Sequence, residues 1–212
     1  MSIKLKHSGG NSVSLNPPTS APTSSDVAFK LPNADGSANQ VIKTDGSGNL
    51  GFTTPAAALF SSYAIIADQK TAGSYGGTFN NGSWRTRDLN TEIADADGIV
   101  TISNNKFTLQ AGTYLVKAQA PAYKVNRHMI RMMNETDGSA VAYGTSEYAR
   151  ESDHPQTHSF LITRFTISAA KEFEISHRCE TSNDTSGFGI ESNSNFTVPN
   201  EQYTMVEIYK ES

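Results

Sequence analysis

The residues most capable of chemistry are a few histidines, one cysteine and scattered carboxylates, and their spacing does not favour catalysis. His177 and Cys179 lie two positions apart, which on a β-strand puts both on one face, where core or interface packing explains them. His154 and His158 lie four apart, a metal-binding spacing only on a helix. Pro155 between them predicts a loop instead.

One glycine-rich stretch, which begins at Asp45, partly matches two ligand-binding sequence motifs. Residues 46–51 match G-x-G-x-x-G, but a dinucleotide site needs a preceding buried strand and a following helix, and Pro55 follows closely here. Asp45 begins the pattern of a calcium loop that would end in Ala56 rather than in a bidentate glutamate. Asp95 and Asp97 are explained by a hairpin turn. We therefore predict no catalytic residues, no cofactor and no metal site, and do not expect an enzyme.

A basic and aromatic cluster is the better candidate for binding. Arginines and histidines of residues 127–178 are interleaved with tyrosines, and aromatic faces with nearby cations suit sugar rings and acidic glycans. An ordinary hairpin surface would carry the same residue types. The candidate surface recognition residues are Trp84, Arg127, His128 and Arg131.

The composition restricts the class of protein that must position these residues. Of 212 residues, 36% are hydrophobic and 18% are charged, and the formal net charge is only -4. No run approaches the about 20 apolar residues of a membrane span, and no signal peptide is recognisable at the start. With 17 basic and 21 acidic residues, we expect neither nucleic-acid binding nor membrane insertion. The chain contains one cysteine, Cys179, so no disulfide can form within it.

Residues 61–212 have the pattern of an all-β protein. Tyr114, Val116, Ala118 and Ala120 alternate with more polar residues, and no stretch has a convincing 3.6-residue period. Asp-Gly turns at residues 97–98 and 137–138 predict hairpins between short strands. Many short strands with frequent turns indicate an antiparallel jelly-roll β-sandwich. A short helix over residues 55–60 is also predicted.

Residues 1–60 have a different character. Residues 1–59 contain five of the eight prolines and no arginine or glutamate, so they cannot build a core of their own. A flexible linker has this composition. Apolar residues at intervals favour instead an extended arm that becomes ordered by pairing with other copies or with a larger assembly. The anchoring residues predicted for this arm are Ile3, Leu5, Val13, Leu15, Val27, Phe29 and Leu31.

The sequence resembles two known groups of proteins. Phe107, Gly112 and Tyr114 occupy a strand signature similar to that of the C1q and tumour-necrosis-factor jelly rolls. Residues 84–91 and 110–114 resemble C-terminal domains of fibre-like virion proteins from bacteriophages, especially marine and cyanobacterial phages, and residues 3–11 resemble the beginning of such proteins. The resemblance implies a homotrimer of jelly rolls around a three-fold axis, with recognition loops at the far end.

These observations together predict a structural virion protein. Residues 1–60 would form a virion-anchoring arm that binds other virion proteins, and residues 61–212 a trimeric C1q/TNF-like head. A short tail fibre, a head fibre or a capsid decoration would each suit a head displayed for host attachment, with a host surface glycan as a further partner. The alternative is a carbohydrate-binding receptor-recognition module without a structural role.

Overall fold

The computed structural model describes residues 3–16, 18–22, 27–56, 58–192 and 197–212. The chain divides into two compact units, Met1–Ala57 and Ala58–Ser212. Within the described ranges all strands pair antiparallel and no α-helix occurs. Nothing helical in these ranges has the length and hydrophobicity of a membrane span.

The first unit contains two short hairpins. Its strands are β1 (Ile3–Lys6), β2 (Ser12–Leu15), β3 (Val41–Thr44) and β4 (Leu50–Thr53), paired β1 with β2 and β3 with β4. Gly46 and Gly48 adopt positive φ angles of 82° and 87° in the second turn, where the Asp45 carboxylate accepts the amides of Ser47 and Asn49. The glycine motif is thus an ordinary turn, as predicted.

The predicted anchoring residues of this unit lie on its surface wherever their side chains are described. The exposed fraction ranges from 58% for Val27 to 79% for Leu31. Leu5, Leu15 and Phe29 fall between these values. The other two, Ile3 and Val13, pair through their backbones in β1 and β2, but their side chains lie outside the described residues.

The second unit is a sandwich of two antiparallel sheets. Its strands are β5 (Phe60–Thr71), β6 (Arg85–Thr86), β7 (Thr91–Ala94), β8 (Val100–Ser103), β9 (Lys106–Leu109), β10 (Gly112–Tyr123), β11 (Asn126–Asn134), β12 (Ser139–Tyr143), β13 (Glu147–Ala149), β14 (Gln156–Ile167), β15 (Lys171–Cys179) and β16 (Asn200–Glu211). One sheet has the order β14-β10-β16-β5-β7. The other has the order β12-β11-β15-β9-β8, with β13 also paired to β11 and β6 to β15.

The strand order confirms the predicted jelly roll. The first and last long strands of the unit, β5 and β16, lie side by side, and β10 pairs with both β14 and β16. Consecutive strands such as β10 and β11, or β14 and β15, belong to opposite sheets. This is the connectivity of a double-sheet jelly roll. The fold class is all-β, as the period-two pattern indicated.

Alternating residues of both sheets fill the core. Tyr114, Val116, Ala118 and Ala120 of β10 are at most 5% exposed, as their alternation predicts. They belong to one hydrophobic cluster with residues of the opposite sheet such as Phe173 of β15. Burial of these apolar side chains is the main favourable term for the sandwich.

One predicted hairpin is wrong. The Asp97-Gly98 turn does not join two paired strands, because β7 pairs with β5 in one sheet and β8 pairs with β9 in the other. The connection crosses the sandwich, and Asp95 stabilises it by accepting the amides of Ile99 and Val100 at 2.8 and 2.9 Å. By contrast, the Asp137-Gly138 turn joins β11 to β12 as predicted.

The short helix predicted over residues 55–60 is also wrong. Pro55, Ala56 and residues 58–59 have no helical structure, and Ala57 lies outside the described residues. Phe60 instead begins β5, and its ring centroid lies 5.2 Å from that of Tyr209 on β16. Pairing along β16 decides the conformation of Phe60, which local helix signals cannot anticipate.

Candidate recognition groove

An open groove lies on the outer face of the seven-stranded sheet, where β11 pairs with β13 and β15. Because side chains alternate along a strand, Arg127, Met129 and Arg131 of β11 face outward and His128 faces the interior. The register places Met129 opposite Arg178 of β15, and Arg127 opposite Tyr148 of β13. Three strands thus bring these side chains to one surface.

The groove has the size of a ligand site. Its volume is about 1020 Å³, at the upper end of the about 300–1,000 Å³ common for small-molecule sites. It is lined by Trp84, Arg127, His128, Met129, Ser146, Glu147, Tyr148, Arg178, Cys179 and Glu180.

Aromatic rings and guanidinium groups are interleaved along the groove. The Arg131 guanidinium carbon lies 4.4 Å from the ring centroid of Trp84, and the Arg131 Nε donates a 2.9 Å hydrogen bond to Ser176 Oγ. Tyr143 lies beside Trp84, with ring centroids 6.1 Å apart. These contacts hold the indole in place, since a cation over an aromatic face is attracted by its electron density.

The charges of the groove are only partly compensated. Arg127 forms an ion pair with Glu180 at 2.9 Å. Arg131 and Arg178 have no carboxylate within ion-pair distance among the described residues, whereas Glu147 accepts a hydrogen bond from the Thr145 hydroxyl. The lining itself contains two arginines and two glutamates, and Arg131 on Trp84 adds a third guanidinium beside it. Arg131 and Arg178 are thus the cations of this surface that are left for a ligand to neutralise.

A buried histidine pair lies beneath the groove. His128 Nδ1 lies 3.0 Å from His177 Nε2, and His128 Nε2 lies 2.7 Å from Thr157 Oγ1. Since His177 Nδ1 has no hydrogen-bond partner, the favoured tautomers have His177 Nε2 donating to His128 and His128 Nε2 donating to Thr157. In this arrangement His177 Nδ1 is the unprotonated nitrogen, so the buried atom without a partner is a lone pair and not an N–H donor.

Both rings are neutral at pH 7. Burial, the nearby charge of Arg87 and the charge of His158 together lower the pKa of His128 to about 4. Burial also lowers the pKa of His177 well below its ordinary value. The pair therefore stabilises the floor of the groove without adding positive charge to it.

Arg87 is the largest fully buried side chain of the described core. Its Nε donates to Thr204 Oγ1 at 2.7 Å, and its two terminal nitrogens donate to the carbonyls of Pro121 and Phe188. The guanidinium also lies 4.0 Å from the Phe188 ring centroid. Burial lowers the pKa of Arg87 to about 10, opposed by the charge of Asp68, so the side chain stays charged at pH 7.

The one cysteine that lines the groove, Cys179, is a poor nucleophile. Burial raises the pKa of the Cys179 thiol to about 12, so little of the reactive thiolate exists at pH 7. Among the described residues no three histidine, cysteine or acidic side chains are placed to hold a metal ion. The arrangement is suited to binding.

The structure brings three of the four predicted recognition residues together on one exposed surface. Trp84 and Arg127 line the groove and Arg131 packs on Trp84. His128 borders the groove, but its side chain is only 4% exposed and both ring nitrogens are engaged. Sequence reasoning did not assign a role to Glu180, whose ion pair with Arg127 follows from strand pairing and not from a local motif.

Comparisons with known proteins give structural neighbours only. No family model and no curated protein matches the chain. The globular domain of zebrafish complement 1qA is 11% identical with a TM-score of 0.45, covering 70% of this chain and 96% of that one. Murine APRIL at pH 8.5 is 7% identical with a TM-score of 0.44, covering 70% and 98%. These neighbours are C1q/TNF-like domains. The jelly-roll assignment itself rests on the strand pairing.

Proposed function

We propose that this chain is a structural bacteriophage virion protein whose heads form homotrimers and whose first unit attaches them to the particle. The sequence resemblance to phage fibre-like proteins supports the virion role. The observation that carries the assembly is an exposed apolar surface on the outer face of the five-stranded sheet, which we call the assembly face. It comprises outward side chains of β5, β10, β14 and β16.

The assembly face has exposed apolar side chains on several of its strands. Phe160 and Ile162 of β14 are 50% and 69% exposed, and Tyr63 of β5 is 53% exposed. The register aligns Tyr63 with Tyr209 of β16 and Tyr209 with Leu115 of β10. Exposed apolar side chains grouped on neighbouring strands of one sheet face favour an association site.

The charges on this face are paired within one copy. Lys117 lies 3.6 Å from Glu207, and Arg164 forms a two-point ion pair with Glu211 at 2.6 and 2.7 Å. Neutralised pairs of this kind do not repel the same surface of a second copy. The face is therefore compatible with self-association, and the resemblance to trimeric jelly rolls favours three copies.

A pair of matched variants tests the assembly face by sedimentation velocity. Ile162→Asp places a charge on β14, the end strand of this sheet, and is expected to convert the trimer into monomers, because burying a carboxylate between copies is strongly unfavourable. Tyr75→Asp is the control, since Tyr75 is also exposed, at 42%, and lies in a loop outside the face. An Ile162→Asp protein that remains trimeric would contradict the assignment of the face.

The first unit supports attachment through its exposed apolar side chains. Its hairpins have two strands each, an arrangement that is marginally stable alone. Phe29 and Leu31 are 63% and 79% exposed, so covering them with another virion protein would bury apolar area. This attachment would order the unit and display the heads outward.

Purified particles test the attachment. The full-length chain is expected in virions by mass spectrometry, and the double variant Phe29→Asp/Leu31→Asp is expected to be lost from them while remaining trimeric. Ile42→Asp is the control, since Ile42 is exposed at 60% in β3 and is not an assigned anchor. Absence of the wild-type chain from particles would refute the virion role.

The recognition groove supports a second candidate, a carbohydrate-binding module without a structural role. Its exposed aromatic rings and arginines have the character of sugar-binding surfaces. On a glycan array, binding that disappears in Trp84→Ala, with no chain found in virions, would favour this candidate. Binding together with incorporation into virions would assign host attachment to the structural protein.

A further inference from the structure

We infer that the recognition groove binds an anionic saccharide, with a sugar ring against Trp84 or Tyr148 and the anionic group on Arg178 and Arg131. The inference rests on the attachment role proposed for the head and specifies its ligand class. Two observations carry it: the aromatic surfaces, and the guanidinium groups without an ion-pair partner among the described residues.

The aromatic surfaces are available to a ligand. Tyr148 is 51% exposed and Tyr143 is 60% exposed. Neither residue belongs to the assembly face, so self-association through that face does not account for their exposure. The Arg127 guanidinium carbon lies 5.9 Å from the Tyr148 ring centroid. Trp84 is half-buried, with Arg131 over one face of its ring and Tyr143 at its side, so the indole is held in place and a sugar contacts the part of it that these two residues leave uncovered. Preorganised aromatic rings bind the apolar faces of sugars at little cost in side-chain entropy.

The guanidinium groups determine the charge of the ligand. Arg131 donates only through Nε, to Ser176, and Arg178 has neither an ion-pair nor a hydrogen-bond partner among the described residues. Terminal guanidinium nitrogens are forked donors that match a carboxylate or sulfate in a two-point contact. Glu147 and Glu180 also line the groove, but Glu180 is already paired with Arg127. An anion therefore meets two guanidinium groups, those of Arg178 and the neighbouring Arg131, that have no ion-pair partner among the described residues.

The two sheets separate binding from assembly. Arg178 and Tyr148 lie on the seven-stranded sheet, whereas Phe160 and Ile162 of the assembly face lie on the five-stranded sheet. Arg178 and Tyr148 consequently lie off the assembly face, whereas the rim of the groove at Ser146 adjoins it, because the preceding Thr145 is hydrogen-bonded to Phe160. Three grooves in one trimer would multiply weak individual affinities through effective concentration.

The test is calorimetric titration of the full-length protein with tetragalacturonate and with its carboxyl-reduced, neutral counterpart. We expect the acidic probe to bind at least about tenfold more tightly. A sulfated dextran oligomer forms the second arm and distinguishes a preference for sulfate from one for carboxylate. Equal affinity for the acidic and neutral probes, or no binding of either acidic probe at millimolar concentration, would overturn the inference.

Variants locate the effect. Arg178→Gln is expected to remove the preference for the acidic probes, whereas Trp84→Ala should weaken binding of acidic and neutral probes alike. Arg150→Gln removes the same charge from a loop arginine paired with Asp153 and should change nothing. Trp84→Phe, which keeps an aromatic ring, should retain part of the affinity if Trp84→Ala proves unstable. An unchanged preference in Arg178→Gln contradicts the assignment.

The outcome is distinguishable from failure of the proposed assembly. Sedimentation velocity on the same samples reports whether Arg178→Gln keeps the oligomeric state of the wild type. A monomeric wild type that binds acidic probes through Arg178 would contradict the proposed trimer and support the ligand class of the groove. A trimer without a preference for anionic probes would support the proposed assembly and contradict the ligand class.

Discussion

Protonation of the buried histidine pair should destabilise the head as the pH falls. The pKa of His128 is about 4 in the folded protein and about 6.5 in an unfolded chain. A group whose pKa is depressed on folding is fully stabilising above its unfolded pKa, and this stability is lost as the pH falls towards the folded value. The free energy of unfolding should therefore decrease between pH 7 and pH 5.

The magnitude follows from the shift. A difference of about 2.5 units corresponds to about 3 kcal/mol for complete protonation, of which about 2 kcal/mol is lost between pH 7 and about pH 5. His177 acts in the same direction, because burial lowers its pKa as well. His158 adds to the loss, since its pKa is lowered by burial, and Asp68 opposes it, since burial raises the pKa of its carboxyl.

The assay is urea unfolding of the wild type and of the double variant His128→Leu/His177→Phe at both pH values. The variant removes both titrating rings. Its free energy of unfolding should therefore fall between pH 7 and pH 5 by about 2 kcal/mol less than that of the wild type, or by a still smaller amount. His7→Gln, at an exposed histidine of the first unit, is the control. An identical pH dependence in wild type and double variant would refute the reasoning.

Three further substitutions or reagents test the core. Arg87→Met leaves Thr204 and two carbonyl acceptors without their donor and should lower the free energy of unfolding by about 3 kcal/mol or more in urea titrations. Gly189→Ala should cost about 2 kcal/mol, because φ is +140° and the new Cβ would clash with the Tyr203 ring; an unchanged melting temperature would contradict this contact. Cys179 should resist a maleimide at pH 7 until the protein is unfolded, since the thiol is buried with its pKa raised to about 12; rapid native labelling would contradict its burial.

The sequence contained enough local information to predict the fold class. Alternation along β10 identifies Tyr114 and Val116 as core residues, because an apolar face of period two has few other uses. Sheet membership is not local in the same way. The Asp97-Gly98 turn has the composition of a hairpin, yet its flanking strands bury their faces in different sheets. Which strands pair is decided by long-range packing.

The candidate groove was predictable in part for the same reason. Arg127 and Arg131 alternate on one strand and so must share a face. Their proximity to Trp84 and Arg178 depends on the register of β11 with β15 and of β15 with β6. The burial of Arg87 had no sequence signal, because arginine is usually exposed and its carbonyl acceptors come from distant segments.

The central claim is that the head associates with two copies of itself, and the mass of the full-length wild type in solution tests it most directly. Light scattering on a size-exclusion column at micromolar concentration should give three times the 22.8 kDa chain mass. A single species with the mass of one chain would contradict the claim.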